Sequence, residues 1–308
     1  MIESPQEWQA KHRQLIQEKL AGLREKPDGT IRLEPSGIHW VMVEKIASTL
    51  QLMLVEKVTM KTKFLQSWVD LNDPFKLVLP YTQAMALGLI WHPTPRRIYL
   101  AGLGGGSLHR FLYYNFPEVY LESTEIDPLL IQIATECFGL EINERLQVFL
   151  QDGRDYLEKQ PPSVKYDLIF IDVAYGNGYI PYSFTTQEFY KICQNHLSES
   201  GVLVINSLQE LQWELSTIKT LQSVFQSVYI YSRLGNNVLI ANPLEPLDEE
   251  TIITQAQILR KQHKFSNAIL SRVLDLQSIE SYLKTDLSQE AILTDATPPS
   301  DYFASWLL

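Results

Sequence analysis

The sequence predicts an α/β protein with a mostly parallel central sheet, preceded by a small β-rich unit. Two observations support this prediction. From about residue 97 to residue 225, continuous apolar runs alternate with helical patterns, as expected for parallel strands that are buried on both faces. The first apolar run, 98–101, leads into the glycine-rich turn Gly102-Leu103-Gly104-Gly105-Gly106 and then into a helical pattern. That order predicts a strand, a tight turn and the start of a helix.

The first of three predicted regions, residues 1–79, combines one helix with short strands. Ser4-Pro5-Gln6-Glu7 has the composition of a helix start, with a Ser cap, a Pro at the first helical position and a Glu three residues after the Ser. Apolar runs at 37–43 and 48–55 predict strands. One face of the helix is expected to meet the protein core or a partner subunit. Its apolar residues are Trp8, Leu15, Ile16, Leu20 and Leu23.

The second region, residues 80–245, carries the parallel sheet and starts with a helical pattern over 80–90. Two apolar runs at its end, 227–232 and 238–241, flank a turn and predict a hairpin. A parallel sheet that ends with an antiparallel strand is typical of class I methyltransferases, so we predict their seven-stranded, Rossmann-like sheet. The other predicted strands are 98–101, 120–125, 146–150, 167–171 and 202–205, with helical patterns near 106–115, 128–138, 185–198 and 209–225.

The third region, residues 246–308, is predicted to be a C-terminal extension of helices and loops. Its composition does not assign it a role.

Composition and charge limit the classes of function. The 308 residues carry 26 basic and 36 acidic side chains, a net charge of −10, and no basic stripe that would bind nucleic acid. No apolar run is long enough to span a membrane, and the N-terminus lacks the apolar segment of a signal peptide. We therefore expect a cytoplasmic protein without a nucleic-acid or membrane partner.

The cysteines and histidines suggest neither a disulfide nor a metal site. Cys137 and Cys193 lie in apolar helical patterns and are expected to be buried thiols of a reducing compartment. The six histidines are scattered, without the spacing of a metal site. We therefore expect no bound metal.

The glycine-rich turn and a later acidic residue predict a nucleoside site. Glu125 ends the second predicted strand, about 20 positions after the glycines, where a carboxylate binds ribose hydroxyls. The turn has the spacing Gly102-x-Gly104-x-Gly106, and Ser107 stands where the dinucleotide fingerprint has its third glycine. This spacing favours an S-adenosylmethionine-type nucleoside over NAD or FAD.

Further carboxylates follow neighbouring strands, at the edge where open α/β sheets bind ligands. Glu125 can accept from two ribose hydroxyls at once, and Asp152 is placed to accept from an adenine amino group. Asp172 lies nearest the reacting end and could act as a base or hold a substrate cation. Asp127 precedes Pro128 and is expected to be a helix cap instead.

The order of these motifs resembles spermidine synthase over roughly residues 30–242. The resemblance rests on the glycine turn, Glu125-Ile126-Asp127, Asp152-Gly153, the run 166–172 that ends in Asp172, and segments 184–190 and 197–203. It implies S-adenosylmethionine or its decarboxylated form as cofactor, no metal, a small-molecule acceptor and a homodimer. The implied cofactor-binding residues are Gly102, Gly104, Gly106, Glu125, Ile126, Asp152, Gly153 and Asp172. The implied catalytic residues are Asp172, Tyr175 and Tyr81.

Two departures from that family affect the predicted reaction. Spermidine synthases carry GGGDGG, whose Asp holds the amine end of the decarboxylated cosubstrate, and Gly104 stands at that position. They also carry a DSSDP loop, of which Asp172 is retained while the second Asp falls at Tyr175. A diamine is a dication at pH 7 and needs carboxylates when it is desolvated. A loop with Tyr175, Tyr179 and Tyr182 suits a less charged or planar acceptor.

The altered loop is more similar to that of spermidine-synthase-like methyltransferases, some of which are fused to membrane domains. Their ends often read like Leu293-Thr294-Asp295. The leading hypothesis is therefore a methyltransferase that uses S-adenosylmethionine, in which catalysis is mostly positioning for an in-line displacement. The alternatives are an aminopropyltransferase with altered amine recognition and a non-catalytic nucleoside-binding protein on the same fold.

Overall fold

The computed structural model describes residues 4–174, 180–208, 213–233, 235–263 and 267–298. It contains a four-stranded antiparallel sheet near the N-terminus and an eight-stranded central sheet. The predicted positions Tyr175 and Tyr179 lie outside the described residues.

The N-terminal helix, α1 (Pro5–Glu25), begins where the sequence predicts. The Ser4 hydroxyl accepts from the Glu7 N–H, and the Glu7 carboxylate accepts from the Ser4 N–H at 3.0 Å. Ile16 and Leu20 are fully buried, whereas Leu15 is 43% exposed, so its assignment to the apolar face is wrong. The buried face of α1 contacts the protein's own core, which is one of the two predicted alternatives; the other was a partner subunit.

Four strands, two more than predicted, form the first sheet in sequential antiparallel order. They are β1 (Gly29–Ser36), β2 (His39–Ile46), β3 (Thr49–Glu56) and β4 (Lys63–Asp70). The sequence did not indicate β1 and β4 because both are edge strands with many exposed polar residues. Val41 and Leu52 of this sheet pack with α1 and with Ile133 of the α/β domain. This packing fixes the N-terminal unit against that domain.

The central sheet confirms the class I methyltransferase fold. Its strand order is β12-β10-β11-β9-β8-β5-β6-β7; the run from β9 to β7 is parallel, and β11 is antiparallel to both its neighbours. The strands are β5 (Arg97–Ala101), β6 (Tyr120–Glu125), β7 (Leu146–Leu150), β8 (Tyr166–Ile171), β9 (Leu197–Leu208), β10 (Ser227–Arg233), β11 (Asn236–Asn242) and β12 (Leu276–Ser278). The eighth strand, β12, comes from the C-terminal extension and is too short to leave a sequence pattern.

Both faces of the central sheet are covered by helices. Alternate residues of its strands accordingly belong to two different apolar clusters. Leu100 and Phe170 contribute to one cluster, and Tyr99 and Ile169 to the other. The helices that follow α1 are α2 (Pro80–Met85), α3 (Ser107–Asn115), α4 (Pro128–Glu136), α5 (Gly153–Glu158), α6 (Gln187–His196), α7 (Glu214–Gln222), α8 (Glu249–His263), α9 (Asn267–Leu270) and α10 (Ile279–Tyr282). The described residues also form short 3₁₀ helices at Ala86–Ile90, Tyr182–Phe184 and Ser271–Asp275.

Other features of this structure also bear on the sequence predictions. Cys137 and Cys193 are both free and buried, as predicted. The six-residue helix α5 was not predicted, because it is too short to show a helical period. In the described parts of the chain, no helix combines the length and apolar character needed to cross a bilayer.

Candidate functional site

The parallel strands bring the glycine turn and two of the predicted carboxylates to one edge of the sheet. Ala101, the last residue of β5, pairs with Thr124 of β6 and with Ile171 of β8. The next backbone groups continue this register, since Gly102 N donates to Thr124 O at 3.0 Å and Asp172 N to Ala101 O at 2.9 Å. Gly102 therefore lies between the ends of the two strands that carry Glu125 and Asp172.

The turn depends on glycine for both its backbone shape and its close contacts. Gly102, Gly104 and Gly106 have φ of 94°, 52° and 68°, in the left-handed region that glycine adopts without strain. A Cβ on Gly102 would lie 2.2 Å from the Asp172 carbonyl oxygen. The absence of a side chain at Gly102 thus allows Asp172 to approach the turn.

Glu125 joins the end of β6 to the glycine turn. It is 7% exposed, and its Oε1 accepts from the N–H groups of Ile126 at 2.7 Å and Asp127 at 3.0 Å. Its Oε2 accepts from Leu103 N at 3.3 Å. Burial raises the pKa of this carboxyl. The carboxylate is therefore oriented by the backbone at the position where the sequence predicts ribose binding.

Two of the strand-end carboxylates cap helices. Asp127 accepts from Leu129 N at 2.9 Å at the start of α4, which confirms its predicted capping role. Asp152 accepts from Asp155 N at 3.0 Å at the start of α5, and its side chain is exposed. The cap uses one lone pair of Asp152 Oδ1, so Oδ2 is left for the predicted adenine contact.

Gly153 lies beneath this part of the site. A Cβ there would meet the Cβ of Ala101 at 2.8 Å and the Thr124 hydroxyl at 3.0 Å. The structure therefore gives the glycine a packing reason, the close approach of α5 to the sheet. Its predicted role at the cofactor stays a prediction.

Two exposed apolar side chains lie beside these carboxylates. Ile126 is 68% exposed and Leu150 is 59% exposed, although large apolar residues are usually buried. Leu150 ends β7 and pairs with Glu125, the last residue of β6, and Ile126 follows Glu125 directly. Ile126 and Leu150 therefore lie at the ends of adjacent strands. They offer apolar surface to a flat ring next to hydrogen-bonding groups, a typical composition of ligand pockets. The sequence predicted a role for Ile126 but not for Leu150.

Asp172 is held by two side chains at the other end of the site. Its Oδ1 accepts from Asn206 Nδ2 at 2.9 Å, and the Tyr81 hydroxyl lies 3.5 Å from Oδ2 and 3.3 Å from the Gln66 carbonyl. Burial raises the pKa of Asp172, and burial beside that carboxylate raises the pKa of Tyr81 well above its ordinary value. The structure thus brings together Tyr81 and Asp172, two of the implied catalytic residues. Asn206 was missed because the end of a buried strand gave no functional signal.

A small cavity of about 10 Å³, enough for one water molecule, lies between these groups. It is lined by Ser67, Tyr81, Thr82, Leu100, Gly102, Leu103, Ser107, Leu108, His109 and Asp172. The His109 Nε2 lies 2.8 Å from the Ser123 hydroxyl, whereas its buried Nδ1 has no partner in the described chain. Burial lowers the pKa of His109 to about 3, so the ring is neutral. No sequence motif indicates a role for this histidine.

The N-terminal unit also contributes to the site. The Ser67 hydroxyl of β4 accepts from Gly105 N at 2.8 Å and lies 2.9 Å from the position of a Cβ on Gly104. Tyr182 belongs to the predicted aromatic loop, but its hydroxyl contacts the C-terminal segment, since it donates to Thr294 O at 2.7 Å. Among described residues, no group of three or more His, Cys, Asp and Glu is arranged to hold a metal ion.

Comparison with known proteins gives a family and relatives of two activities. Residues 80–234 match the profile of the spermine/spermidine synthase domain. The polyamine aminopropyltransferase of Vibrio vulnificus is 30% identical over 73% of this chain and 76% of its own length. The eEF1A lysine and N-terminal methyltransferase of Mus musculus is also 30% identical, over 54% of this chain and 26% of its own length.

A solved structure combines this fold with a bound nucleoside. Human methyltransferase-like protein 13 in complex with SAH has a TM-score of 0.57 and 27% sequence identity to this chain. The match covers 62% of this chain and 95% of that one.

Proposed function

Because this chain belongs to the spermine/spermidine synthase family, we propose that it is a transferase that binds S-adenosylmethionine and transfers its methyl group to a small acceptor. The family supports a transferase that uses an S-adenosyl nucleoside. The choice of methyl transfer rests on this chain's own glycine turn.

The observation that carries the proposal is the position of the Ser67 hydroxyl beside Gly104. Spermidine synthases, which the sequence resembles, place an Asp at the position of Gly104 to hold the amine end of the decarboxylated nucleoside. Here the Ser67 hydroxyl lies 2.9 Å from where a Cβ on Gly104 would be, and the Gly105 N–H donates to it. The decarboxylated nucleoside would thus find a hydroxyl instead of a carboxylate for its ammonium. S-adenosylmethionine brings its own carboxylate to that end.

The other residues fit an S-adenosyl nucleoside. Glu125 is positioned by three backbone N–H groups to accept from ribose hydroxyls. Exposed Ile126 and Leu150 offer an apolar surface for adenine, and Asp152 lies nearby at the start of α5. The bound structure of human methyltransferase-like protein 13, at 27% identity, supports the same class of ligand.

When bound, the S-adenosyl group supplies an electrophilic methyl on a sulfonium centre. The chain's own contribution is to hold the acceptor and remove its proton. Asp172 is the proposed proton acceptor; its raised pKa brings it closer to that of a useful base. Asn206 and Tyr81 fix the orientation of its two oxygens. The names of both curated relatives refer to amines, so we propose an amine as the acceptor's nucleophile.

The runner-up is aminopropyl transfer from the decarboxylated nucleoside. It is favoured by the aminopropyltransferase from Vibrio vulnificus, which covers more of this chain than the mouse methyltransferase does. The Asp172–Tyr81 pair is compatible with either transfer, since both need a base beside the acceptor.

Calorimetry with the purified chain separates these alternatives. Methyl transfer predicts that S-adenosylmethionine binds more tightly than its decarboxylated form. A large preference for the decarboxylated form would establish the runner-up instead, and no binding of either nucleoside would reject both. Methyl-labelled S-adenosylmethionine in a cell extract then reports transfer, and the label should enter the small-molecule fraction. Asp172→Asn should retain nucleoside binding and lose this transfer.

A further inference from the structure

We infer that Arg110 makes the glycine turn selective for a nucleoside that carries an α-carboxylate. This inference rests on the proposed function, because it assumes that the turn binds the amino-acid end of an S-adenosyl nucleoside. It adds a specificity-determining residue that does not itself have to touch the ligand.

Arg110 is a buried cation whose contacts are all uncharged. It lies on α3 and is 2% exposed. Its Nη1 donates to Gly105 O at 2.6 Å, its Nε to Pro74 O at 3.1 Å, and its Nη2 to the Ser107 hydroxyl at 3.4 Å. Within the described chain it forms no ion pair with a carboxylate. Burial lowers the pKa of the guanidinium to about 9, which still leaves it charged at pH 7.

An unpaired buried charge is costly to a folded protein, and an anion nearby would offset that cost. The guanidinium contacts the turn directly, through the carbonyl of Gly105. The helix that starts at Ser107 adds to the positive potential, because its first turn has no acidic residue and no side chain caps its N-terminus. Both features favour a negative group over the turn.

The charges are ordered along the turn. Glu125 accepts from the N–H of Leu103, at one end, and Arg110 donates to the carbonyl of Gly105, at the other. Gly104 lies between them, and its N–H has no hydrogen-bond partner among the described residues. A ligand with hydroxyls toward Leu103 and a carboxylate toward Gly105 matches this order. An S-adenosyl nucleoside with an intact amino acid has both groups.

His109, next to Arg110, is a second and independent indication that the turn binds the amino-acid end of a ligand. It is 3% exposed, lines the cavity beside Ser107, and leaves Nδ1 without a partner in the described chain. The Ser123 hydroxyl also lies 3.4 Å from the Gly102 carbonyl, to which it donates. That hydroxyl therefore accepts from Nε2–H, and Nδ1 is left as an acceptor. A ligand ammonium could donate to Nδ1, so the two ends of an amino acid would each find a complementary group.

The test compares affinities for S-adenosylmethionine and its decarboxylated form. Arg110→Met removes the charge at similar size, and we expect the preference for S-adenosylmethionine to fall about tenfold, or about 1.4 kcal/mol. Arg110→Lys keeps the charge and should retain most of the preference. As a control, Arg145→Met removes a different arginine, which is partly buried and contacts Tyr113 and Trp8, and should leave the preference unchanged. An unchanged preference in Arg110→Met would overturn the inference.

If Arg110→Met does not fold, a second pair of variants tests whether charge at the glycine turn controls the preference between the two nucleosides. In a Ser67→Ala background, which removes the hydroxyl that a Cβ would meet, Gly104→Asp adds a carboxylate and Gly104→Asn adds its uncharged counterpart. Asp and Asn tolerate the left-handed backbone of this position better than most residues. The Asp variant should favour the decarboxylated nucleoside about tenfold more than the Asn variant does. Equal preferences in the two variants would contradict the inference.

These outcomes are separable from a failure of the proposed function. The proposed function is tested by which nucleoside the unmodified chain prefers. The role of Arg110 is tested by how much that preference changes when its charge is removed.

Discussion

Arg154 and Asp295 lie 141 positions apart and form a two-pronged ion pair, with Nη1–Oδ1 of 2.8 Å and Nη2–Oδ2 of 2.5 Å. The same Nη1 donates to Ser183 O at 2.9 Å, just before α6. Leu293, two residues before Asp295, is 1% exposed, and its N–H donates to the Thr220 hydroxyl at 2.9 Å. One guanidinium thus joins the helix that follows Asp152, the segment before α6 and the C-terminal extension.

We expect Asp295→Asn to lower the free energy of unfolding by about 1 kcal/mol at pH 7, because the pair is partly exposed and screened by solvent. The hydrogen bonds from Arg154 lower the pKa of Asp295. A carboxylate whose folded-state pKa is lowered stabilises the fold at pH values above its unfolded pKa of about 3.9. That stabilisation is lost as the pH falls through the folded-state pKa. Urea unfolding should therefore show a smaller difference between variant and parent at pH 3. Asp155→Asn, in an exposed pair with Lys159, is the control and should change stability little.

The contact of Tyr81 with Asp172 predicts a pH effect. The Tyr81 hydroxyl lowers the pKa of Asp172, which burial raises. Tyr81→Phe should therefore shift the carboxyl titration of Asp172, followed by carbon NMR with labelled aspartate, to higher pH. Exposed Tyr120→Phe should leave it in place. A shift to lower pH would show that the hydroxyl does not stabilise the carboxylate.

Asp172→Asn should stabilise the fold at pH 7 while abolishing transfer. A carboxyl whose folded-state pKa is raised contributes stability below its unfolded pKa of about 3.9, and that contribution is lost as the pH rises through the folded value. The burial that raises this pKa makes the charged carboxylate unfavourable in the folded protein, and an amide avoids this cost. Thermal unfolding at pH 7 measures the change, and a lower Tm in the variant would contradict the argument.

Ile126→Ala should weaken nucleoside binding without affecting folding. The side chain is 68% exposed, so little core packing is lost. If it covers adenine, losing about 40–60 Å² of apolar contact costs about 1–1.5 kcal/mol, or roughly tenfold in Kd. Calorimetry with S-adenosylhomocysteine measures this. Val58→Ala, at a site that is 88% exposed in the turn between β3 and β4, should bind normally, and equal affinities in both variants would remove Ile126 from the site.

Gly102→Ala should be severely destabilising, by more than about 3 kcal/mol, because it combines positive φ with a backbone clash. Its new Cβ would lie 2.2 Å from the Asp172 carbonyl oxygen, which is backbone and cannot turn aside. Gly22→Ala in α1 is the opposite case, with nothing within 4 Å of its Cβ. It should stabilise by about 0.5–1 kcal/mol through helix propensity. Urea unfolding compares the two, and similar effects would contradict the clash.

The sequence by itself determined the parallel sheet, the glycine turn and the meeting of Glu125 with Asp172 at one edge. These follow from local patterns, because buried strands are continuous apolar runs and parallel strands end at the same edge. It also fixed the start of α1 and the cap of α4, since capping depends on residues within one turn.

The tertiary structure decided what surrounds that edge. Ser67 beside Gly104, Asn206 on Asp172 and Asp295 on Arg154 all join segments far apart in the chain. No local sequence pattern predicts such contacts. They depend on how whole helices and strands pack, and on which polar groups still need a hydrogen-bond partner after packing. The sequence thus predicted a nucleoside-binding turn, whereas the choice of nucleoside proposed for it depends on groups that only the fold brings to the glycines.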